Sequence, residues 1–276
     1  MIRRVGSAVA SGGIATSAAL VGNRLAVKNM LSLAAWTRPN HAGVPVTLAE
    51  GPIALLAMLA GLLVPGPAPG GSATLRGAVA LAATGSGAVG AYDDLRGSSR
   101  AKGFRGHLAA LRSGVVTSGT VKIAGVGLSA ATASMILGRA SAAGGVIRLA
   151  DRLMDTALIA GTANFTNLCD LRPGRAAKVT MALTAGLVGV GAAPVLGAAT
   201  GCLPSDLRER SMLGDCGANA LGAAVGTVAA AWLPRPAKLA VLLAVVGLNL
   251  ASERVSFTAV IDRTPTLRWL DQLGRG

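Results

Sequence analysis

Charged residues make up only 14% of this 276-residue chain and aromatics only 3%, with two histidines and three cysteines. Each shortage excludes something. A soluble domain carries about 25% charged residues, so this chain lacks the polar surface to cover itself in water. Three cysteines, Cys169, Cys202 and Cys216, are an odd number in a long chain, which excludes a disulfide-stapled secreted scaffold. His41 and His107 stand alone, and no His/Cys spacing suits zinc. So few aromatics cannot build base-stacking platforms. The net charge of +14 is therefore read as basic flanks facing anionic headgroups, and no nucleic-acid partner is expected.

Hydrophobic residues account for 52% of the chain, and the mean hydropathy is +0.57, which also excludes disorder. The composition predicts an all-α fold: one integral membrane domain over 1–276, a polytopic transmembrane helix bundle of about 8–10 spans. Abundant Ala and Gly let its helices approach closely. Candidate spans are 5–22, 47–64, 76–92, 115–137, 146–165, 179–200, 216–233 and 237–251, the last continuing towards Val260. The first also resembles a signal-peptide core, and is read as an uncleaved helix because a multispanning chain follows it.

Lysines and arginines crowd the loops 23–44, 93–113, 166–178, 208–212 and 252–276, which makes that side cytoplasmic. This requires 176–206 to fold as a hairpin. Its 31 residues allow two arms of about 23 Å against a hydrocarbon core of about 30 Å, so the arms are short or the hairpin is re-entrant. Pro194 could mark its turn.

The twelve acids are informative because they are few and sit at the ends of apolar runs, where carboxylates are costly. Four constellations stand out. Asp93-Asp94 closes the third span, and two adjacent carboxylates there repel unless a cation or a metal-bearing phosphate relieves them. Lys102-Gly103-Phe104-Arg105 follows, with cations suited to phosphates on a backbone freed by glycine. Asn164, Asn167 and Asp170 end the fifth span; they bind a ligand or form an interhelical hydrogen-bond cluster. Gly214-Asp215-Cys216-Gly217 opens the seventh, where Asp215 could cap the helix and the glycines let another backbone or a pyrophosphate approach. Lys122 lies within a span, where it snorkels, pairs with another helix or meets substrate. Cys169 and Cys216 are read as packing residues.

In this order, Asp93-Asp94 with Lys102-Gly103, Asn164-x-x-Asn167-Leu168-x-Asp170, and Met212-Leu213-Gly214-Asp215-x-Gly217-x-x-x-Leu221-Gly222 resemble the polyprenyl-phosphate N-acetylhexosamine-1-phosphate transferase superfamily. The phospho-N-acetylmuramoyl-pentapeptide transferases belong to it. The resemblance spans most of 40–275. It implies a magnesium-dependent transfer of sugar-1-phosphate from a nucleotide (UDP) sugar to a polyprenyl phosphate, on the cytoplasmic face of the cell membrane, for envelope glycan synthesis. By the same resemblance Asp215 ligates magnesium, and Asp93 is the base or orienting group for the lipid phosphate, with Asp94 beside it. Asn164, Asn167 and Asp170 hold nucleotide or sugar, while Lys102 and Arg105 face phosphates. A homodimer is compatible with it.

The chain also departs from the family pattern. Pro173 stands where relatives carry a further Asp, the cytoplasmic histidine cluster is replaced by Asp262-Arg263-Thr264-Pro265, and 176–206 is compressed. These departures motivate an alternative, a non-catalytic relative that binds polyprenyl phosphate or an envelope-assembly partner. A transporter is disfavoured because the acids gather at one face and not at the midplane.

Overall fold

The computed structural model describes residues 2–29, 34–65, 72–97, 103–138 and 145–275. The fold is helical. The described helices are α1 (Ile2–Lys28), α2 (Glu50–Leu62), α3 (Ala73–Arg96), α4 (Gly103–Arg112), α5 (Ser118–Leu137), α6 (Gly145–Cys169), α7 (Arg175–Thr184), α8 (Ala193–Leu207), α9 (Gly214–Trp232), α10 (Arg235–Ser252), α11 (Phe257–Arg263) and α12 (Pro265–Gln272). A short antiparallel pair, β1 (Thr37–Pro39) and β2 (Pro45–Thr47), aligns Arg38 with Val46. It bridges to the segment before α9, where the Met212 N–H donates to the Thr47 carbonyl (3.0 Å).

Local chemistry sets the helix starts. Ser72 and Thr117 accept from the N–H groups of Leu75 and Thr120, opening α3 and α5 (3.2 and 3.1 Å). At the centre lies α9, buried almost continuously from Cys216 to Ala230 and packed between α3 and α6. Its richness in Ala and Gly makes this possible. A Cβ added to Gly222 would lie 2.6 Å from the Thr162 carbonyl oxygen of α6, so the two backbones touch there.

Among the described residues, three helices are long and apolar enough to cross a membrane: α1 from Val5, α5 and α10. Their surfaces carry large exposed apolar groups, including Val9, Leu128 and Leu243. The others are longer or shorter than their sequence pattern suggests. The expected span 47–64 contains only the 13-residue α2, about 20 Å long, because 45–47 are drawn into the strand pair. The span 179–200 is broken as the hairpin argument required: α7 and α8 (10 and 15 residues) flank a 3₁₀ segment, Ala185–Val190. Pro194 is not at the turn. It sits in the first helical turn of α8, where its missing N–H costs nothing; the reversal is made at Gly191 (φ 120°). Nor does α10 run on towards Val260. It stops at Ser252, and Ser256 caps a separate α11 by accepting from the Ala259 N–H (3.3 Å).

Candidate functional site

The last turn of α3 meets the first turn of α9. Two N-terminal donors of α9 are taken by Asp94: the N–H groups of Asp215 and Cys216 donate to its two carboxylate oxygens, each at 2.9 Å. The residue preceding α9, Leu213, has no side-chain acceptor, so the cap comes from another helix. Two glycines permit the approach. A Cβ on Gly90 would stand 2.3 Å from the Asp215 carbonyl oxygen, and Gly214 (φ 60°) has a left-handed backbone pressed against the Asp94 carboxylate. The Arg38 guanidinium donates to the Asp94 carbonyl (3.0 Å), tying β1 to the same corner.

Beside this cap, Lys122 of α5 reaches Asp93 and Asp215 at once, with its ammonium 2.7 Å from an oxygen of each. The two carboxyls also lie within hydrogen-bonding reach of each other. Burial favours the neutral form of both. At Asp93 the hydrogen bonds from Asp215 and Lys122 outweigh burial and hold it below its ordinary value, whereas burial holds Asp215 above despite Lys122. The pair therefore titrates as a unit, with a proton biased towards Asp215.

Asp170, just beyond α6, is buried close enough to Asp94, Asp206 and Asp215 to feel their charge. Burial, then Asp206, pushes its carboxyl well up, and only the Gly214 N–H offsets this. Asp206 of α8 is pushed up to about 7 by burial, partly offset by the Gly174 N–H. Glu50 of α2 completes the interior acids and accepts from the Ser211 hydroxyl. Among the described residues, one oxygen each of Glu50, Asp170 and Asp206 has no hydrogen-bond partner. A cavity of about 30 Å³ lined by Asp170, Arg172, Pro173, Asp206, Ser211 and Met212 adjoins them, room for roughly one water.

The structure thus brings together Asp93, Asp94, Asp170 and Asp215 from three sequence-distant segments. Asn167 is half-buried near the same helix end. Asn164 is turned away to α10, donating to the Asn249 side chain (2.5 Å), which in turn donates to the Gly161 and Val245 carbonyls; the interhelical alternative describes it. Arg105 falls on α4, where its side chain is not described, and Lys102 lies outside the described residues. Cys169, Cys202 and Cys216 are buried free thiols. Sequence reasoning placed no weight on Glu50, Asp206 or Arg38. The signal for the first two was present, an acid bordering an apolar run, but nothing linear tied either to the other acids.

Magnesium takes one or two carboxylates and completes its shell with water and substrate phosphates. Asp93 and Asp215 are donors of that kind, and the cation they share here is the Lys122 ammonium. Among the described residues no three acids, histidines or cysteines are grouped to hold an ion. A divalent ion would thus draw on these two carboxylates and need phosphate oxygens for the rest.

Burial and the neighbouring Asp215 push Asp94 up to about 7, as burial does Asp206. Both are raised relative to the unfolded chain, so the folded state binds more protons between about pH 4 and 7. Their stability contribution is complete below about pH 4 and lost as pH rises through about 7. The expected result is a thermal midpoint in detergent that falls from pH 5 to pH 8, with a shallower slope for Asp206→Asn. An unchanged slope would remove Asp206 from the titration.

No protein-family model and no curated protein matches this chain.

Proposed function

We propose that this is a polytopic protein of the cell membrane whose carboxylate centre lies at the cytoplasmic face, and that it transfers a sugar-1-phosphate from a nucleotide sugar to a polyprenyl phosphate. The observation that carries the reading is the convergence of Asp93 and Asp215, helices apart in sequence, on one cation beside the capped start of α9. Asp93 and Asp215 each lie in a segment that carries the resemblance to the transferase superfamily.

In this reading an oxygen of the lipid phosphate forms the new bond to the sugar-bearing phosphorus. The pyrophosphate bond breaks, and a nucleoside monophosphate leaves. Phosphoryl transfer needs alignment and charge neutralisation more than covalent help from the protein. Bound magnesium would supply charge neutralisation at the phosphates, held by Asp215 and Asp93. Lys122, freed from one carboxylate, would donate to a phosphate oxygen, and Asp93 would orient the lipid phosphate or accept its proton. Asp94 acts differently. With both oxygens taken by α9, it positions Asp215 and does not meet substrate. Asp170 and Asn167 would contact the nucleotide or sugar.

Purified protein given a UDP-sugar panel, magnesium and a polyprenyl phosphate is expected to release UMP, measured by chromatography. No release across the panel would refute the transferase reading. A second reading, a non-catalytic binder of polyprenyl phosphate, is favoured by one observation: Lys122 already satisfies both carboxylates. That reading expects lipid-phosphate binding, unaffected by magnesium, without turnover.

A further inference from the structure

Beyond α10 the chain runs four residues and then forms α11 and α12. At about 100° per residue, Leu267, Leu270 and Trp269 cover an arc of about 160° on α12, which Leu273 just beyond its last residue continues, with Asp271, Arg268 and Gln272 on the remainder. Three members of the apolar arc are about half exposed or more: Trp269 at 62%, Leu273 at 52% and Leu270 at 47%. The helix is not loose. Asp271 is buried and gripped by the Arg175 guanidinium through Nε (2.7 Å) and Nη2 (3.1 Å), with Arg275 at 3.0 Å. Lys178 donates to the Leu270 and Asp271 carbonyls (3.2 and 2.7 Å). One edge of α12 is clamped to the start of α7, and the apolar arc is held outwards.

We propose that α12 is an interfacial helix, docked flat in the headgroup zone of the membrane at the end of α10, with Trp269, Leu270 and Leu273 in the upper acyl region. Three observations select this occupant. The apolar arc is fixed by a buried ion pair in an outward orientation. It follows α10, itself long and apolar enough to cross a membrane, with only residues 253–264, including α11, between the two. And Arg254, Arg263 and Arg268 are exposed on the same segment, the cationic flank that anionic headgroups attract. Trp is suited to that depth because its ring is amphipathic. Since Arg175 opens α7, and Gly174 just before it donates to Asp206, the docked helix braces the floor of the acidic centre.

This inference rests on the membrane reading above, and the test separates the two. Nitroxide labels are placed on Leu270→Cys, Gln272→Cys and, as a depth reference, Leu243→Cys on the exposed face of α10. The native cysteines are buried and stay unlabelled. The protein is reconstituted in phosphatidylcholine vesicles with about 30% phosphatidylglycerol, an anionic surface. Collision with oxygen is compared with collision with a water-soluble nickel chelate. The expected result is a severalfold higher oxygen-to-nickel ratio at 270 than at 272, with 243 deeper still. Equal, aqueous ratios at 270 and 272 with 243 deep would overturn the docking of α12 alone. An aqueous ratio at 243 as well would overturn the membrane reading and this inference with it.

Discussion

Asp215→Asn is expected to reduce UMP release by about 10³-fold, equivalent to about 4 kcal/mol of transition-state stabilisation, while the protein still folds. Asn is isosteric, so its side-chain oxygen can still accept from Lys122, and the backbone N–H groups that Asp94 caps are untouched. What is lost is a negative charge at the point where a phosphate-bound divalent cation would sit, and a neutral amide oxygen is a poor substitute for it. The measurement is turnover at saturating lipid phosphate and nucleotide sugar, alongside the thermal midpoint. Turnover within threefold of the parent would remove Asp215 from the chemistry. Retained lipid-phosphate binding with no turnover in the parent protein would instead favour the non-catalytic reading.

Lys122→Met should cost about 2–3 kcal/mol of stability at pH 8. Breaking a fully buried ion pair costs about 3–5 kcal/mol because an uncompensated charge is left behind. Here the side chains retain 15–25% exposure, so water recovers part of that cost. The two carboxyls, already within hydrogen-bonding reach, have another escape, which is to share a proton. Without the ammonium the shared proton is held to higher pH, so the deficit should shrink at pH 5 and grow at pH 8, the sign required when the folded state gains proton affinity. Adding Asp93→Asn to Lys122→Met should restore much of the loss at pH 8 by removing one of the two charges. Chemical unfolding in mild detergent at the two pH values reads this directly. A loss independent of pH would mean that Lys122 contributes packing and not charge.

The two substitutions probe different properties of one cluster. Asp215 is argued to be needed for its charge towards substrate, and Lys122 for its charge towards the protein. Residues in direct contact are not additive, so Asp215→Asn with Lys122→Met should be more stable than the sum of the single changes predicts. The reason is that the amide no longer needs the ammonium.

Much of the fold could be read linearly because its determinants are linear. Apolar runs, Ser and Thr ahead of them, and glycines after them mark helices whatever surrounds them. This is why 76–92, 115–137, 146–165, 216–233 and 237–251 each fall on a single helix. The hairpin of 176–206 was legible too, from charge on either side of a segment too short to cross twice at full length. Where tertiary contacts compete with local preference the linear reading slipped. Thr47 opens the apolar run 47–64, yet its strand partner Thr37 and the Arg210–Met212 backbone draw it away from a helix.

For the site the division is similar. Composition alone marked Asp93, Asp94, Asp170 and Asp215, since an acid at the end of an apolar run is expensive wherever that run lies. Only the packing of α3, α5 and α9 decided their roles. It turned Asp94 into the cap of a helix 120 residues away, gave Lys122 to Asp93 and Asp215, and sent Asn164 to Asn249. It also drew in Glu50 and Asp206. A carboxylate's cost is written in its own neighbours along the chain. Its partner is fixed by how closely two helices can approach, which here depends on single glycines such as Gly90 and Gly222 on separate helices.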